Sequence, residues 1–216
     1  MKTMGGLRER KKERTRALIA ETARRLFAER GFEAVSVSEV AEAAEVSEAT
    51  VFNYFPTKED LVFQRMEVFE QEMLQAVRGR ARGESAAQAF GRFALKPRGL
   101  LAARDEEARN ALLGVSRMIA ASPALRAREE QILKRYINSL ATLLAEETGA
   151  RHGDLRPLVA AHALIGLHAS LIAYVRSRIV EENPDHSRLA RDMLSEGRKA
   201  LLLLERGLGG YAVKDR

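Results

Sequence analysis

The sequence predicts an all-α chain, on three observations. Apolar residues recur at three- and four-residue spacing along nearly its whole length, the period of a helix with one buried face. Alternating runs rich in β-branched residues are absent. Only five prolines occur in 216 residues, and each falls beside another boundary signal.

The first helix is expected from about Glu13 to Arg30, with Leu18, Thr22, Leu26 and Ile19, Ala23, Phe27 as its apolar stripe. Gly31 ends it, because glycine enters the left-handed backbone cheaply, and Phe32 packs back after the cap. Ser36 and Glu39 form an S-x-x-E capping box that opens a second helix with Val37, Val40, Ala41 and Ala44 on one face. Ser47 caps a short third helix, Glu48 to Tyr54, which Pro56 stops. Thr57 and Asp60 resemble a further box, opening a helix through Met66, Phe69 and Met73. The second and third helices are too short to stand alone. They must pack on the first, through Leu26, Phe27, Val40, Val46 and Val51, which makes a helix-turn-helix within a three-helix unit. Beyond it, helices are expected near 58–79, 84–95, 100–121, 124–149, 154–181 and 186–206. Ser122-Pro123 and Asp154 with Pro157 mark two starts, Gly149 and Gly153 bracket a loop, and Asn183-Pro184 marks the last turn.

Composition is that of a globular protein, with 46% hydrophobic and 31% charged residues. With no cysteine, disulfides, thiolate nucleophiles and cysteine-based metal sites are excluded. The N-terminus carries no apolar run after its positive charges, so it does not read as a secretion signal, and a cytoplasmic protein is expected. Leu158–Val175 is uncharged for 18 residues, but with His162, His168 and Ser170 in it the reading is a buried helix and not a membrane span. The net charge of +6 hides a pattern. Residues 1–16 hold seven basic side chains (Lys2, Arg8, Arg10, Lys11, Lys12, Arg14, Arg16) against two acidic ones, whereas residues 17–60 hold four against nine. A basic arm of this kind tracks phosphates or is simply a solvated terminus.

The residues Gly31-Phe32, then Val37-x-x-Val40-Ala41-x-x-Ala44-x-Val46-Ser47, then Thr50-Val51-Phe52-x-Tyr54-Phe55-x-x-Lys58-x-x-Leu61 resemble the DNA-binding domain of the TetR family of bacterial repressors, over about residues 14–62. Two positions depart from the family pattern. Glu45 stands where glycine is usual in the turn, and a left-handed backbone is disfavoured there without it. Phe52 stands where tyrosine is usual, and lacks a hydroxyl for a phosphate. The resemblance implies a basic flexible arm over 1–13, a helix-turn-helix domain over 14–60, and a ligand-binding and dimerisation domain over 61–216.

On this reading Ser47–Tyr54 enters the major groove of a double-stranded DNA operator. Thr50 and Tyr54 offer hydroxyls to phosphate oxygens, and Lys58, Arg14 and Arg16 offer charge. Ser47 is first a helix cap. Glu48 can accept from cytosine N4, Ala49 can touch a thymine methyl, and Asn53 can pair with adenine. Ser36 and Ser38 stand at a helix N-terminus, which favours phosphate. Phe52 and Phe55 are expected in the core.

The segments from Ser122-Pro123-Ala124-Leu125-Arg126 to Thr148-Gly149 and then Leu155–Tyr174 resemble the branch associated with acyl-CoA-like ligands, which implies a small hydrophobic or acyl-type effector. Candidate pocket residues are polar or adaptable side chains at apolar positions: Phe90, Phe93, Ser116, Met118, Tyr136, Asn138, His162, His168 and Tyr174. His162 and His168 lie roughly 120° apart around a helix and share no face for a metal. No metal and no cofactor are expected. Two long apolar helices near the end read as homodimer material. One carries His162, Gly166, Ser170 and Ala173 in a small-residue stripe, and the other carries Leu189, Met193 and Leu201–Leu204. No catalytic motif is present, and pairs such as Glu129-Glu130 and Glu146-Glu147 point to different helix faces. The reading is a homodimeric, ligand-released repressor of a near-palindromic operator, and not an enzyme. Two rivals stay open: an architectural DNA binder without a ligand, and a helical carrier or enzyme with a vestigial reader.

Overall fold

The computed structural model describes residues 4–64, 66–103, 105–182 and 184–207, with side chains from Arg10 onward. Lys2, Arg8 and Asn183 therefore lie outside the side chains described. Among the described residues there are nine α-helices and two 3-10 turns, and no strand. The helices are α1 (Met4–Arg30), α2 (Val37–Ala43), α3 (Glu48–Tyr54), α4 (Met66–Arg78), α5 (Ala86–Ala94), α6 (Glu106–Ala121), α7 (Pro123–Thr148), α8 (Arg156–Glu181) and α9 (His186–Glu205).

Three boundaries differ from expectation, each for a local reason. The segment expected as a flexible arm is helical from Met4, continuous with α1. Its Arg, Lys and Glu residues are good helix formers, and the Thr15 hydroxyl donates to the Lys11 carbonyl at 3.0 Å. The helix expected over 58–79 is interrupted. Thr57 and Asp60 exchange bonds at 3.1 and 3.3 Å, but the box closes only a 3-10 turn, Glu59–Leu61, and α4 starts at Met66. The helix expected from residue 100 starts at Glu106, because the Asp105 carboxylate accepts the Ala108 N–H at 2.7 Å and caps it there.

The chain divides into two compact units, Met1–Arg65 with Arg117–Arg128, and Met66–Ser116 with Glu129–Arg216. The expected division at 60/61 thus misses a second segment that belongs to the first unit. In that unit α1, α2 and α3 surround a core of Ile19, Ala23, Leu26, Phe27, Phe32, Val35, Val40, Ala41, Val51, Phe55 and Leu61. Phe27 and Phe32 meet edge to face at 5.2 Å, the contact expected after Gly31 (φ 83°). Leu18, placed in the stripe by its spacing, is exposed. Two polar ties hold the 117–128 segment. The Ser122 hydroxyl donates to Glu33 at 2.6 Å, and Arg128 reaches the buried Asp60 carboxylate at 2.7 Å.

In the second unit α4 packs along α5, α8 along α9, and α5 against both α8 and α9. Glycine sets the closest approaches: a Cβ added at Gly91 would lie 2.2 Å from Leu201, and one at Gly197 would lie 2.3 Å from Leu95. By length and apolar composition α8 could cross a membrane. One face of it, with Ala161, Leu164, Ile165, Leu171, Val175 and Ile179, is buried within this unit.

Candidate functional site

The geometry of α3 follows from its ends. Ser47 has extended backbone, and its Oγ accepts the Thr50 N–H at 3.1 Å. The two hydroxyls also meet at 2.8 Å, so Thr50 is turned back toward the cap. Val51 and Phe55, one turn apart, anchor the helix in the core at 1% exposure each. That fixes which face is free. At ~100° per residue, Glu48, Ala49, Phe52 and Asn53 fall on one contiguous arc, and all four are exposed. Phe52 lies in the middle of that arc at 46% exposure. The expectation that it joins the core is wrong for a simple reason: the core needs the spacing of Val51 and Phe55, and position 52 lies one step round the helix. Phe55 is in the core as expected. Thr50 and Tyr54 are half-buried on the flank.

The turn before α3 has a strained residue. After C-cap Ala44, the Glu45 N–H donates to the Glu42 carbonyl and the Val46 N–H to the Ala41 carbonyl, both at 3.0 Å. This six-residue closure requires a left-handed residue at position 45, and Glu45 takes φ 55°. Among the described residues it is the one non-glycine with positive φ. The turn keeps its shape without the glycine.

Several candidates are already engaged inside the unit. Ser36 forms the complete capping box: its N–H and hydroxyl donate to Glu39 at 2.7 and 2.8 Å, and its Oγ accepts the Glu39 N–H at 3.1 Å. The Ser36 N–H, with Arg30 beside it, holds the Glu39 carboxyl down at about 2. The head of α2 is thus covered by a carboxylate, while Ser38 is exposed. Lys58 Nζ lies 4.3 Å above the Phe32 ring. Arg16 donates to the Gln64 carbonyl at 3.0 Å and lies over Phe55. Arg14 is exposed, as are Arg10, Lys11 and Lys12 on the same helix.

The nine candidate pocket residues do not converge. Phe90, Phe93, Ser116 and Tyr136 are buried in the core of the second unit. Asn138 and His162 face solvent, His168 and Tyr174 are half-buried, and Met118 belongs to the first unit. The physical reason is that unusual residues at apolar positions are mostly packed or satisfied. The Ser116 hydroxyl, for instance, donates to the Leu112 carbonyl at 2.6 Å. Three of the nine do meet, around Phe69: Phe93 at 5.2 Å, Tyr136 at 5.3 Å, and His168 stacked at 4.6 Å. Burial, and then the nearby Arg98 charge, pull His168 down to about 4. Tyr136 donates to the Met66 carbonyl at 3.0 Å, and burial pushes its hydroxyl pKa up.

The dimer candidates divide by face. On α8, His162, Gly166, Ser170 and Ala173 are all exposed, and Val159, Ser177 and Val180 continue the same uncharged stripe. A Cβ at Gly166 would meet nothing within 4 Å. On α9, Leu189 and Met193 are buried within their own unit, whereas Leu202 and Leu203 are exposed.

Comparison with known proteins agrees with the helical fold and its helix-turn-helix. A model described as bacterial regulatory proteins of the tetR family matches residues 19–64, and a model of the MftR C-terminal domain matches residues 99–201. The chain is 32% identical to the HTH-type transcriptional regulator TcmR of Streptomyces glaucescens over 181 residues, 80% of this chain and 78% of that protein. Among solved structures, it is similar in fold to native NalD, a secondary repressor of the MexAB-OprM multidrug efflux pump in Pseudomonas aeruginosa. There the TM-score is 0.54 and the identity 21%, over 88% of this chain and 97% of the other. FadR of Bacillus subtilis, solved with stearoyl-CoA, gives a TM-score of 0.51 at 23% identity, over 84% and 96%.

Proposed function

The chain belongs to the TetR family of DNA-binding transcriptional regulators, and we propose that within it this protein is a homodimeric, ligand-responsive repressor. Two copies of α3 enter successive major grooves of a near-palindromic operator. A small hydrophobic or acyl-type effector bound in the second unit releases them. The observation that carries the reading is the free arc of Glu48, Ala49, Phe52 and Asn53 on a helix capped by Ser47 and anchored by Val51 and Phe55.

Glu48, Ala49 and Asn53 read bases, with Phe52 added as an apolar contact to a thymine methyl or sugar. Ser47, Thr50, Tyr54, Ser36, Ser38, Lys58, Arg14 and Arg16 hold the backbone. Of these, Arg14 and Ser38 are free without rearrangement, whereas Lys58 and Arg16 leave Phe32 and Gln64 to reach a phosphate. The uncharged outer stripe of α8 supports pairing with a second copy, together with Leu202 and Leu203 of α9. The chain acts where its DNA is, in the cytoplasm.

The test is selection of bound sequences from a random duplex pool at near-physiological salt. An enriched near-palindrome supports a dimeric specific regulator. Retention without an enriched motif would replace this reading with an architectural one. With the operator in hand, Asn53→Ala should relax choice at one position, and Lys58→Ala should weaken binding to all sequences and lessen its salt dependence. Unchanged affinity in Lys58→Ala would remove Lys58 from the phosphate contacts.

A further inference from the structure

The second unit holds a groove of about 490 Å³ that none of the pocket candidates above lines. That volume lies within the ~300–1,000 Å³ of small-molecule sites. Ala86 and Ala87 of α5, Ala160 and Ala163 of α8, Leu144 of α7 and Leu204 of α9 make its walls. The space has a clear source, since four helical positions that could carry longer side chains carry alanine. It is not loose packing, because one turn along, α5 and α9 touch so closely at Gly91 and Leu201 that a methyl would not fit.

Two polar side chains of the lining, Thr148 and Asp154, already have partners. The Thr148 hydroxyl donates to the Leu144 carbonyl at 2.7 Å. Asp154 accepts the Arg156 backbone N–H at 3.0 Å and the guanidinium Nη2 at 2.6 Å. Apart from Thr148, Asp154 and Arg156 the side chains that line the groove are apolar, so a ligand polar along its whole length would lose hydrogen bonds to water on entry. At the edge, the Arg156 side chain is 90% exposed, and its second guanidinium nitrogen, Nη1, has no partner among the described residues. A guanidinium presents five donors, so Asp154 does not exhaust it.

We propose that this groove seats the apolar part of the effector, the hydrocarbon chain of an amphiphile whose anionic head lies at the mouth beside Arg156. The inference rests on the reading of the protein as an effector-responsive regulator. It names the place and the ligand class within that reading.

The experiment uses full-length protein and a fluorescent fatty acid, 11-(dansylamino)undecanoic acid, titrated and then displaced with dodecanoate. Saturable binding is expected. Ala163→Phe fills the groove and should weaken binding about tenfold or more, and Ala87→Leu, a smaller intrusion, keeps the test open if the phenylalanine disturbs folding. Thermal unfolding of each variant establishes that it is folded. Arg156→Ala should weaken the carboxylate probe several-fold while leaving a neutral dansyl alkyl amide unaffected. The groove assignment is overturned if wild type binds no probe saturably, or if folded Ala163→Phe and Ala87→Leu bind it like wild type. It is also overturned if they alter only the association state, which would make the groove an interface between copies. Equal loss of both probes in Arg156→Ala would remove the anionic head from the proposal. The regulator reading is checked separately by operator selection with wild type. An enriched operator with a failed groove leaves that reading standing, and a groove that binds the probe without any operator leaves only the site.

Discussion

Glu45→Gly should stabilise the protein. Glu45 closes α2 by the same pair of backbone bonds that Gly149 uses to close α7, where the Ala150 N–H donates to the Ala145 carbonyl at 3.0 Å. Gly149 takes φ 60° and Glu45 takes φ 55°, so one geometry is held by two very different residues. A side chain in the left-handed region costs roughly 1–2 kcal/mol, because Cβ crowds the following carbonyl. Glycine offsets part of that gain, since the unfolded chain regains roughly 0.5–1 kcal/mol of backbone freedom. The difference leaves about 0.5–1 kcal/mol in favour of glycine. For a chain of this size each kcal/mol moves the midpoint by roughly 2–4 °C, so a rise of about 1–4 °C is expected. The assay is thermal unfolding at one fixed protein concentration, because association makes Tm concentration-dependent. Glu45→Ala is the control: it removes the carboxylate but keeps a Cβ in the strained backbone, and should stay within about 0.5 kcal/mol of wild type. If Glu45→Gly is no more stable than Glu45→Ala, the strain argument fails.

Arg128→Ala should destabilise by about 3 kcal/mol, because it leaves the Asp60 carboxylate buried without its ion partner; chemical denaturation reads this, and adding Asp60→Asn should recover part of the loss. His168 has a pKa near 4 in the fold and about 6.5 when unfolded, so the unfolded state binds more protons between those values. Its neutral ring therefore contributes stability that is complete above about pH 6.5 and lost as pH falls toward 4, of order 2 kcal/mol. His168→Gln should flatten that slope, and an unchanged slope in a pH series of unfolding curves would refute the assignment. Phe52→Ala should lower operator affinity by about 1 kcal/mol, some fivefold, with the fold intact because the ring is exposed; unchanged affinity in a titration would put Phe52 outside the contact.

Much of the first unit was legible because its signals are local. Ser36 with Glu39 and Ser47 with Thr50 act within a single turn, and the capping bonds form as their spacing requires. The core positions Val40, Val51 and Phe55 follow from helical period alone. The two errors of burial have one source. Period assigns a residue to an arc, but the width of the buried arc depends on what packs there, and so Leu18 and Phe52 came out on the wrong side. The membership of 117–128 in this unit was not legible at all. It rests on Ser122 with Glu33 and Arg128 with Asp60, pairs separated by 89 and 68 positions.

The second unit shows why a ligand site resists the same method. The residues that mark it on the page of a sequence are the chemically distinctive ones, and here those are mostly spent on structure: Ser116 on a helix carbonyl, Tyr136 on Met66, and Phe90 at 0% exposure in the core. The groove is made instead by what is missing. Ala86, Ala87, Ala160 and Ala163 look in sequence like ordinary helix formers, and only the placing of α5 beside α8 and α9 turns their short side chains into a shared volume. Gly91 and Gly197 are the counterpart, because their missing Cβ atoms let the same helices close to contact at Leu201 and Leu95. Small residues thus act in two opposite ways within one unit, and the difference is set by where the neighbouring helix lies. A glycine at a close approach brings the neighbour in, whereas an alanine beside a helix already pinned elsewhere leaves space. Filling the alanines and crowding the glycines should accordingly separate: Ala163→Phe acts on ligand binding, and Gly197→Ala, whose Cβ would lie 2.3 Å from Leu95 and 2.9 Å from Leu171, acts on stability.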